Sequence, residues 1–486
     1  MMDRKIGHLK PEVVWGYFEE VCQVPRPSKN EGEIIAFLEQ FSIDNQLSFK
    51  KDEAGNVLIS KPATKGYENC KGVVLQSHLD MVCEKNAGIE HDFFNDPIKP
   101  YIAGEWVKAE GTTLGADCGI GIAASMAVLT DRDMEHGPIE CLFTVDEETG
   151  LTGAKALQPG FLSGKILINL DSEDEGELFI GCAGGIDTVA KFTYKEEEVP
   201  GGFFPIEIKV SGLLGGHSGD DINKGRGNAI KILVRFIWES HQKYGIRVAA
   251  FSGGNLRNAI AREAETVIMV QNGYKENLVA DFNVFKHEMA IETELTEPGL
   301  RVDLNSTDTP AFIIDDKTVA NLLNALYVCP HGVQSMSFKM PGMVETSTNL
   351  ASVKLVGEHG IEVTTSQRSD IESGKKSIAS VVMAVFEMAG ATVRHSEGYP
   401  GWAPNPKSPV LGVTVKAYEQ LFGKKPRVRS IHAGLECGLF LEKYPALDMV
   451  SFGPTILGAH SPDERIHIDS VQKFWLLLTE VLKHIG

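Results

Sequence analysis

The sequence predicts an α/β protein: a mixed, mainly parallel sheet flanked by helices and interrupted by an inserted α+β domain. Short apolar runs at 73–77, 139–145 and 166–170 are bounded by turn signals, which is typical of buried parallel strands. Helical patterns occur at 12–42, before the first run, and at 119–129, between the first run and the second. This alternation of strand and helix patterns favours the α/β class.

The character of the sequence changes after residues 182–186 and changes back near residue 400. Between these points the chain has alternating strands such as 204–210, and two long helices are predicted near 228–242 and 375–389. The α/β pattern then resumes with a helix, a strand and a final helix, at 410–422, 449–453 and 469–485.

A chain of 486 residues is too long for a single core. We therefore expect a discontinuous domain of residues 1–186 plus 400–486. Residues 187–399 form an inserted domain in this prediction, with room for two α+β halves.

Composition and charge restrict the class of protein. Apolar residues make up 43% of the chain and charged residues 23%, as in an ordinary globular protein. The net charge of -19, without a basic stripe, argues against binding to nucleic acid or to an anionic membrane. The eight cysteines contain no C-x-x-C pair, and the N-terminus has no long apolar core that would mark an export signal. We expect a cytoplasmic protein with reduced thiols.

Acids and histidines stand where the apolar runs stop. His78 and Asp80 close the first run, Glu147 and Glu148 follow the second, and Asp171 follows the third. Ligands of open α/β sheets bind outside the carboxyl ends of the strands, so these side chains should converge on one crevice. Carboxylate and imidazole donors gathered there indicate bound divalent metal.

Two further donors lie in glycine-containing loops. Asp117 precedes the helical pattern at 119–129, and His460 lies just beyond the strand at 449–453. In isolation each candidate has an ordinary explanation. Asp117 could cap the following helix, His460 could be a loop residue, His78 and Asp80 could be a hydrogen-bonded strand terminus, and Glu147 and Glu148 could form an exposed turn. Their joint placement favours metal binding.

The segments that carry these donors resemble one known family. The segments 77–80, 115–117, 146–150, 169–172 and 458–461 are similar, in order and spacing, to the dizinc M20 metallopeptidases. Two more segments, 215–219 and 431–438, resemble the aminoacyl-histidine dipeptidases within that family, also known as Xaa-His dipeptidases.

The resemblance implies two metal ions that share one carboxylate. His78, Asp117 and Asp171 would hold the first ion, and Asp117, Glu148 and His460 would hold the second. Zn²⁺ is the expected ion, and Co²⁺ or Mn²⁺ also suits a mixed oxygen and nitrogen site. The catalytic domain would then be the dizinc domain, and the inserted domain would be its lid.

Other roles follow from the same resemblance. Asp80 would orient His78, Glu147 would be the general base, and His217 of the lid would reach the oxyanion. Arg368 would bind the substrate's C-terminal carboxylate, and Asn258 would be another substrate contact, although both could be structural hydrogen-bonding residues.

Two expectations concern single residues close to the site. Glu436 could attract the substrate's α-ammonium group or an imidazolium. A cis peptide is implied between Asp117 and Cys118. Cys118 departs from the family pattern, in which we expect a carboxamide or an acid, so its thiol is either sensitive to oxidation or an inert small side chain.

The predicted function is metal-dependent hydrolysis of dipeptides that carry a C-terminal histidine, including β-alanyl-histidine. An N-acyl amino acid amidohydrolase of the same fold and a catalytically silent metal-binding module are the alternatives. A phosphohydrolase is disfavoured because no phosphate-cradling loop accompanies the site. A homodimer is expected by resemblance alone.

Overall fold

The computed structural model describes residues 5–485, and its chain divides into two compact units. Residues 1–4, part of the segment in which no export signal is predicted, lie outside the described residues. Unit 1 contains the residues up to Gly181 together with Pro404–Ser430 and the residues from Leu435 onwards. Unit 2 contains Cys182–Ala403 and the short segment Ile431–Gly434.

Helices and strands follow one another along the whole described chain. The α-helices are α1 (Glu12–Cys22), α2 (Gly32–Asp44), α3 (Ala116–Thr130), α4 (Glu147–Gly150), α5 (Thr152–Ala156), α6 (Ala229–Tyr244), α7 (Lys275–Thr293), α8 (Asp316–Val328), α9 (Glu372–Met388), α10 (Pro409–Phe422), α11 (Cys437–Lys443) and α12 (Ile468–His484), with a 3₁₀ turn at Asn272–Tyr274. Among residues 5–485, no helix is both long enough and apolar enough to span a membrane.

The strands number β1 to β23 in chain order. They are β1 (Ser48–Lys51), β2 (Val57–Lys61), β3 (Val73–His78), β4 (Pro100–Ala103), β5 (Trp106–Ala109), β6 (Ile139–Thr144), β7 (Ile166–Asn169), β8 (Glu177–Cys182), β9 (Gly184–Thr193), β10 (Glu196–Glu197), β11 (Phe203–Ser211), β12 (Arg247–Gly254), β13 (Ala264–Gln271), β14 (Arg301–Ser306), β15 (Ile313–Ile314), β16 (Gly332–Met336), β17 (Val344–Val356), β18 (Gly360–Ser369), β19 (Thr392–His395), β20 (Arg427–Ile431), β21 (Asp448–Ser451), β22 (Ile456–Leu457) and β23 (Arg465–His467).

Unit 1 is built on an eight-stranded mixed sheet in the order β1-β2-β6-β3-β7-β21-β8-β20. The four central strands β6, β3, β7 and β21 are parallel to one another, so their carboxyl ends meet at one edge. Every residue of β3, β6 and β7 is buried, as the continuous apolar runs in the sequence predict. The predicted fold class is confirmed.

Helix α3 packs closely against this sheet because its first turns consist of small residues. A Cβ at Gly121 would lie 3.0 Å from Cβ of Ser77 and 3.2 Å from Cβ of Leu170, so a larger residue would push the helix away from β3 and β7. On the opposite side, α1 contributes Trp15 and Phe18 to the core cluster shared with α3. This packing fixes the first turn of α3 above the carboxyl ends of the strands.

Unit 2 contains a nine-stranded sheet with the path β14-β11-β13-β12-β17-β18-β9-β19, to which β16 adds by pairing with β17. The pairs along this path are antiparallel. Four long helices, α6 to α9, contribute to the main core cluster of this unit.

The sequence prediction of two long helices in this region was incomplete. It found α6 and α9 and missed α7 and α8. The buried residues of α7 are Leu278, Phe282, Phe285 and Met289, whose spacing of three and four residues is the helical signal.

Candidate metal centre

Seven of the predicted residues of unit 1 lie at one edge of the sheet, where the parallel strands end. His78 is the last residue of β3, with Asp80 two residues further on, and Glu147 begins the short helix after β6. Asp171 follows β7 by two residues, and Asp117 lies in the first turn of α3. Their neighbours Glu148 and His460 complete the set. The structure therefore brings together all the predicted metal ligands.

Three side chains form a first group around the imidazole of His78. Its Nε2 atom lies 3.1 Å from Oδ1 of Asp117 and 3.2 Å from Oδ1 of Asp171. Donor atoms this close to one another suit a common ion about 2.0–2.2 Å from each of them. The His78 ring is 1% exposed, so this group is shielded from solvent.

A second group uses the other oxygen of the same aspartate. Nε2 of His460 lies 3.2 Å from Oδ2 of Asp117 and 3.1 Å from Oε2 of Glu148. These three residues can hold a metal ion together. Because the two oxygens of Asp117 face different groups, this carboxylate is placed to bridge two ions.

The buried carboxylates fit a cation. Oε1 of Glu148 is buried and has no hydrogen-bond partner among the described residues. Burial, together with the charge of Asp117, raises the pKa of Asp171 to about 7. Burial and the charges of Asp171 and Glu436 raise the pKa of Glu147 well above its usual range. A divalent cation would reduce the repulsion between these carboxylates and would give the unpaired oxygen of Glu148 a partner. Mixed oxygen and nitrogen donors suit Zn²⁺, Co²⁺ or Mn²⁺.

Asp80 contacts both sides of this centre without belonging to either ligand group. Its Oδ1 lies 3.4 Å from Nδ1 of His78 and accepts the backbone N–H of Glu147 at 3.0 Å. Its Oδ2 accepts from the backbone N–H of Glu148 at 3.2 Å and from Oγ of Ser28 at 2.8 Å. Although burial opposes it, the interaction with His78 lowers the pKa of Asp80 to about 2. Asp80 is thus an anion in contact with both His78 and the Glu147 turn.

Glu147 lies close to the ligands and is not part of either three-residue group that contains Asp117. One of its carboxylate oxygens, a nitrogen of His78 and an oxygen of Glu148 all lie within 4.8 Å of one another. A carboxylate in this place can accept a proton from a water molecule at the centre.

Glu436 lies in unit 1 below the ligands and is completely buried. Its Oε2 accepts hydrogen bonds from Nε2 of Gln76 and Oγ1 of Thr144, both at 2.7 Å. Gln76 in turn accepts from Asn169 at 2.5 Å. These hydrogen bonds join the ends of β3, β6 and β7. The other oxygen of Glu436, Oε1, has no hydrogen-bond partner among the described residues, and its predicted attraction for a substrate ammonium or an imidazolium stays a prediction.

The peptide bond between Asp117 and Cys118 is cis, as the family resemblance implies. The Cys118 side chain is 1% exposed, and its Sγ lies 3.5 Å from the carbonyl oxygen of Leu170. Burial, with the nearby charge of Asp171, raises the pKa of the Cys118 thiol well above its usual range. The Sγ atom also lies within 4.8 Å of donor atoms of His78 and Asp171. Burial shields the thiol from oxidants, which favours the interpretation of Cys118 as an inert side chain.

The remaining predicted residues, His217, Asn258 and Arg368, belong to unit 2. Nδ1 of His217 lies 3.5 Å from a carboxylate oxygen of Asp220. The backbone N–H of Ser218 donates to the carbonyl of Asn258 at 2.8 Å, so this hydrogen bond joins the loops that carry His217 and Asn258. The side chain of Asn258 is exposed.

Arg368 lies on β18 and is 7% exposed. Its Nη1 donates to the hydroxyl of Tyr399 at 3.1 Å, and its Nε has no hydrogen-bond partner among the described residues. His432, hydrogen-bonded to Ser347 at 2.8 Å, is close enough to Arg368 for their charges to interact. An arginine with a free buried N–H is suited to an anionic ligand.

Sequence reasoning missed two buried charged residues of unit 1, Arg26 and Glu464. Arg26 donates to backbone carbonyls of the segments that carry Asp80 and Asp117, and Glu464 accepts backbone N–H groups of the segment that carries Asp117. Their position in the sequence carries only a weak signal. Glu464 lies four residues after His460, and Arg26 lies in the connection between α1 and α2.

The sequence profile of Peptidase family M20/M25/M40 matches residues 74–484. The chain belongs to this family. The family prediction is confirmed. A curated relative, the cytosol non-specific dipeptidase of Escherichia coli (strain K12), is 45% identical over 484 residues. The alignment includes 99% of this chain and 99% of the relative.

Solved structures extend the likeness to three dimensions. The aminoacylhistidine dipeptidase from Vibrio alginolyticus is 44% identical and superimposes with a TM-score of 0.94, with 100% of this chain and 99% of that chain covered. Aminopeptidase PepT from Bacillus cereus, at 18% identity and a TM-score of 0.57, covers 98% of this chain and 99% of its own, and it supports the fold alone.

Proposed function

We propose that this chain is a metal-dependent dipeptidase that prefers dipeptides with a C-terminal histidine, including β-alanyl-histidine. The observation that carries the proposal is the arrangement of His78 and His460 on opposite oxygens of Asp117, with Glu147 beside them. Two relatives that are similar over their full length carry dipeptidase names.

The residues of unit 1 perform the hydrolytic chemistry in this proposal. When bound, paired divalent ions would polarise the scissile carbonyl and lower the pKa of the attacking water. Glu147 takes the proton of the attacking water and passes it to the leaving amine. Asp80 keeps the Glu147 turn in place through the hydrogen bonds described above, and it keeps His78 in place through its carboxylate and through its backbone oxygen, which lies 3.1 Å from Nδ1 of His78. Residues 1–186 plus 400–486 would form the catalytic domain.

Residues 187–399 would form a lid whose side chains recognise the substrate. His217 donates to the oxyanion of the tetrahedral intermediate, and Arg368 binds the C-terminal carboxylate with its guanidinium fork. Asn258, with its exposed carboxamide, adds a polar contact to the substrate.

Zn²⁺ is the metal that we propose for both sites, and Co²⁺ and Mn²⁺ are the ions that the same donors also accommodate. The protein acts in the cytosol, the compartment named for the Escherichia coli relative. It works as a homodimer, which light scattering after gel filtration would measure directly. Metal analysis of protein purified without added metal identifies the native ion.

The variant Glu147→Ala tests the function. We expect it to retain two metal ions per chain and to lose about 10²–10⁴-fold in kcat, because only the proton transfer is removed. Glu33→Ala, an exposed acid of α2, is the matched control and should keep full activity. Wild-type protein without peptidase activity, at full metal occupancy, would instead support the silent metal-binding module.

A substrate panel separates dipeptidase from amidohydrolase activity. The panel contains Xaa-His dipeptides, β-alanyl-histidine, other free dipeptides and N-acetyl amino acids. We expect the highest kcat/KM for the Xaa-His members. Faster hydrolysis of N-acetyl amino acids would favour the amidohydrolase, and equal rates on all dipeptides would remove the preference for histidine while keeping the peptidase.

A further inference from the structure

Glu464 holds the backbone that carries the bridging aspartate. Its side chain is 2% exposed and accepts N–H groups from four consecutive residues. Oε2 accepts from Leu114 at 2.7 Å and Gly115 at 2.9 Å, while Oε1 accepts from Ala116 at 2.8 Å and Asp117 at 3.3 Å. Amides at the start of a helix have no partners within the helix, so one carboxylate here satisfies donors that burial would otherwise leave unpaired.

Arg26 contacts the same stretch of backbone by donating to one of the carbonyl groups of that stretch. This residue is 3% exposed, and its Nη2 donates to the carbonyl of Gly115. Its Nη1 donates to the carbonyls of Leu79 at 2.9 Å and Asp80 at 2.8 Å. One guanidinium therefore joins the segment after β3 to the segment before α3.

Gly115 is the point where the two charges meet. Its N–H donates to the carboxylate of Glu464, and its C=O accepts from the guanidinium of Arg26. Its φ of 68° is in the left-handed region, and a Cβ there would lie 2.6 Å from Nη2 of Arg26. Only glycine allows this backbone to lie so close to the guanidinium.

We infer that Glu464 and Arg26 are positioning residues that fix the bridging carboxylate of Asp117 between His78 and His460. Neither side chain is in the ligand groups. Glu464 also lies four residues after His460, so one short segment supplies both a ligand of the second group and the anchor of the bridging ligand. The inference rests on the metal centre of the proposed function.

A buried carboxylate that caps a helix could instead stabilise the fold and do nothing more. The chain offers a matched control in Glu140 on β6, which is 9% exposed. Its carboxylate accepts the N–H groups of Ser163 and Gly164, both at 2.9 Å, as well as the Ser163 hydroxyl. Loss of either carboxylate should lower the unfolding temperature, whereas metal affinity separates the two roles.

The experiment compares Glu464→Gln with Glu140→Gln. Each chelator-treated, metal-free protein is titrated with Zn²⁺ in competition with a chromophoric chelator. The glutamine amide would face N–H donors with its own N–H groups and would force the 114–117 backbone to shift. We expect the dissociation constant of at least one of the two ions to rise about 10–100-fold in Glu464→Gln. The constants of Glu140→Gln should stay within about threefold of the wild type, a change of roughly 0.65 kcal/mol.

Arg26→Lys gives a second test if Glu464→Gln does not fold. A single ammonium cannot reach the carbonyls on both segments, so zinc affinity should fall while the fold is kept. The inference is overturned if the folded variants bind both ions as the wild type does, or if Glu464→Gln and Glu140→Gln weaken zinc equally. Wild-type protein that does not bind two ions would overturn the proposed metal centre itself, which is a distinguishable result.

Discussion

The two units each collect histidines and charged residues, but carboxylates dominate in unit 1, whereas unit 2 contains the buried Arg368 beside His432. The unit 1 centre is dominated by acids, and Asp171 and Glu147 both have raised pKa values because burial and neighbouring carboxylates act together. In unit 2, burial and the charge of Arg368 lower the pKa of His432 to about 4. The carboxylates of unit 1 suit cations, and the buried guanidinium of Arg368 in unit 2 is the group that we propose for an anion.

A dipeptide needs both kinds of site, because its amide bond is cleaved at a metal centre and its C-terminal carboxylate must be recognised. In the proposed function, residues of unit 1 cleave the bond and residues of unit 2 recognise the carboxylate. Variants of unit 2 should therefore alter the choice of substrate more than the metal content, and variants of unit 1 should do the reverse.

The strongest test of this division in unit 2 is Arg368→Ala. Loss of a charge-assisted hydrogen bond costs about 1.5–3 kcal/mol, so kcat/KM for a free dipeptide should fall about 10–150-fold. The two zinc ions should remain. A dipeptide with an amidated C-terminus serves as the control substrate, since the wild type should already cleave it poorly and the variant should cleave it no worse. An equal loss on both substrates would contradict carboxylate recognition by Arg368.

A smaller effect is expected from the protonation of His432. Its folded pKa of about 4 lies below the value of 6.5 for a free histidine, so the unfolded chain takes up the proton first as the pH falls. This residue should therefore cost stability between pH 6.5 and about pH 4 and make little difference at pH 7 and above. We expect acidification from pH 7 to pH 4.5 to destabilise the metal-free wild type by about 1–2 kcal/mol more than His432→Gln.

Urea unfolding of the two chelator-treated proteins at both pH values measures this difference. If the wild type and His432→Gln lose the same free energy of unfolding, His432 is not held neutral by its surroundings. Such a result would contradict the effect of burial and of Arg368 on this imidazole.

The smallest effect is expected at Cys118, the soft donor closest to the acidic centre. Cys118→Ala should bind Zn²⁺ within about threefold of the wild type, since a buried protonated thiol is an inert side chain in this reading. Cobalt-loaded wild-type protein should show no thiolate-to-metal charge-transfer band in the near-ultraviolet region. A band that disappears in Cys118→Ala would make the thiol a ligand and change the character of the unit 1 site.

The sequence predicted the fold class and the residues of the acidic centre because these depend on a local rule. His78, Glu148 and Asp171 follow continuous apolar runs, and parallel strands bring their carboxyl ends to one edge. No comparable rule identifies Arg26 or Glu464. Both act on backbone atoms of a distant loop, and a side chain that binds amides or carbonyls can be any charged or polar type.

Unit 2 was harder to predict for a different reason. Helix α7 was missed although Leu278, Phe282, Phe285 and Met289 have helical spacing, because the charged residues between them make the segment look like a polar connection. The segment Ile431–Gly434 belongs to unit 2 although the chain on both sides of it belongs to unit 1. Contacts of this kind form only in the folded chain and leave no mark on the local sequence pattern.

The central claim is that one aspartate joins two metal ions held by two distant histidines. Anomalous diffraction from zinc-loaded crystals tests it most directly. We expect two peaks, each about 2.0–2.2 Å from its ligands, one at His78, Asp117 and Asp171 and the other at Asp117, Glu148 and His460. A single peak, or peaks that do not share Asp117, would contradict the account.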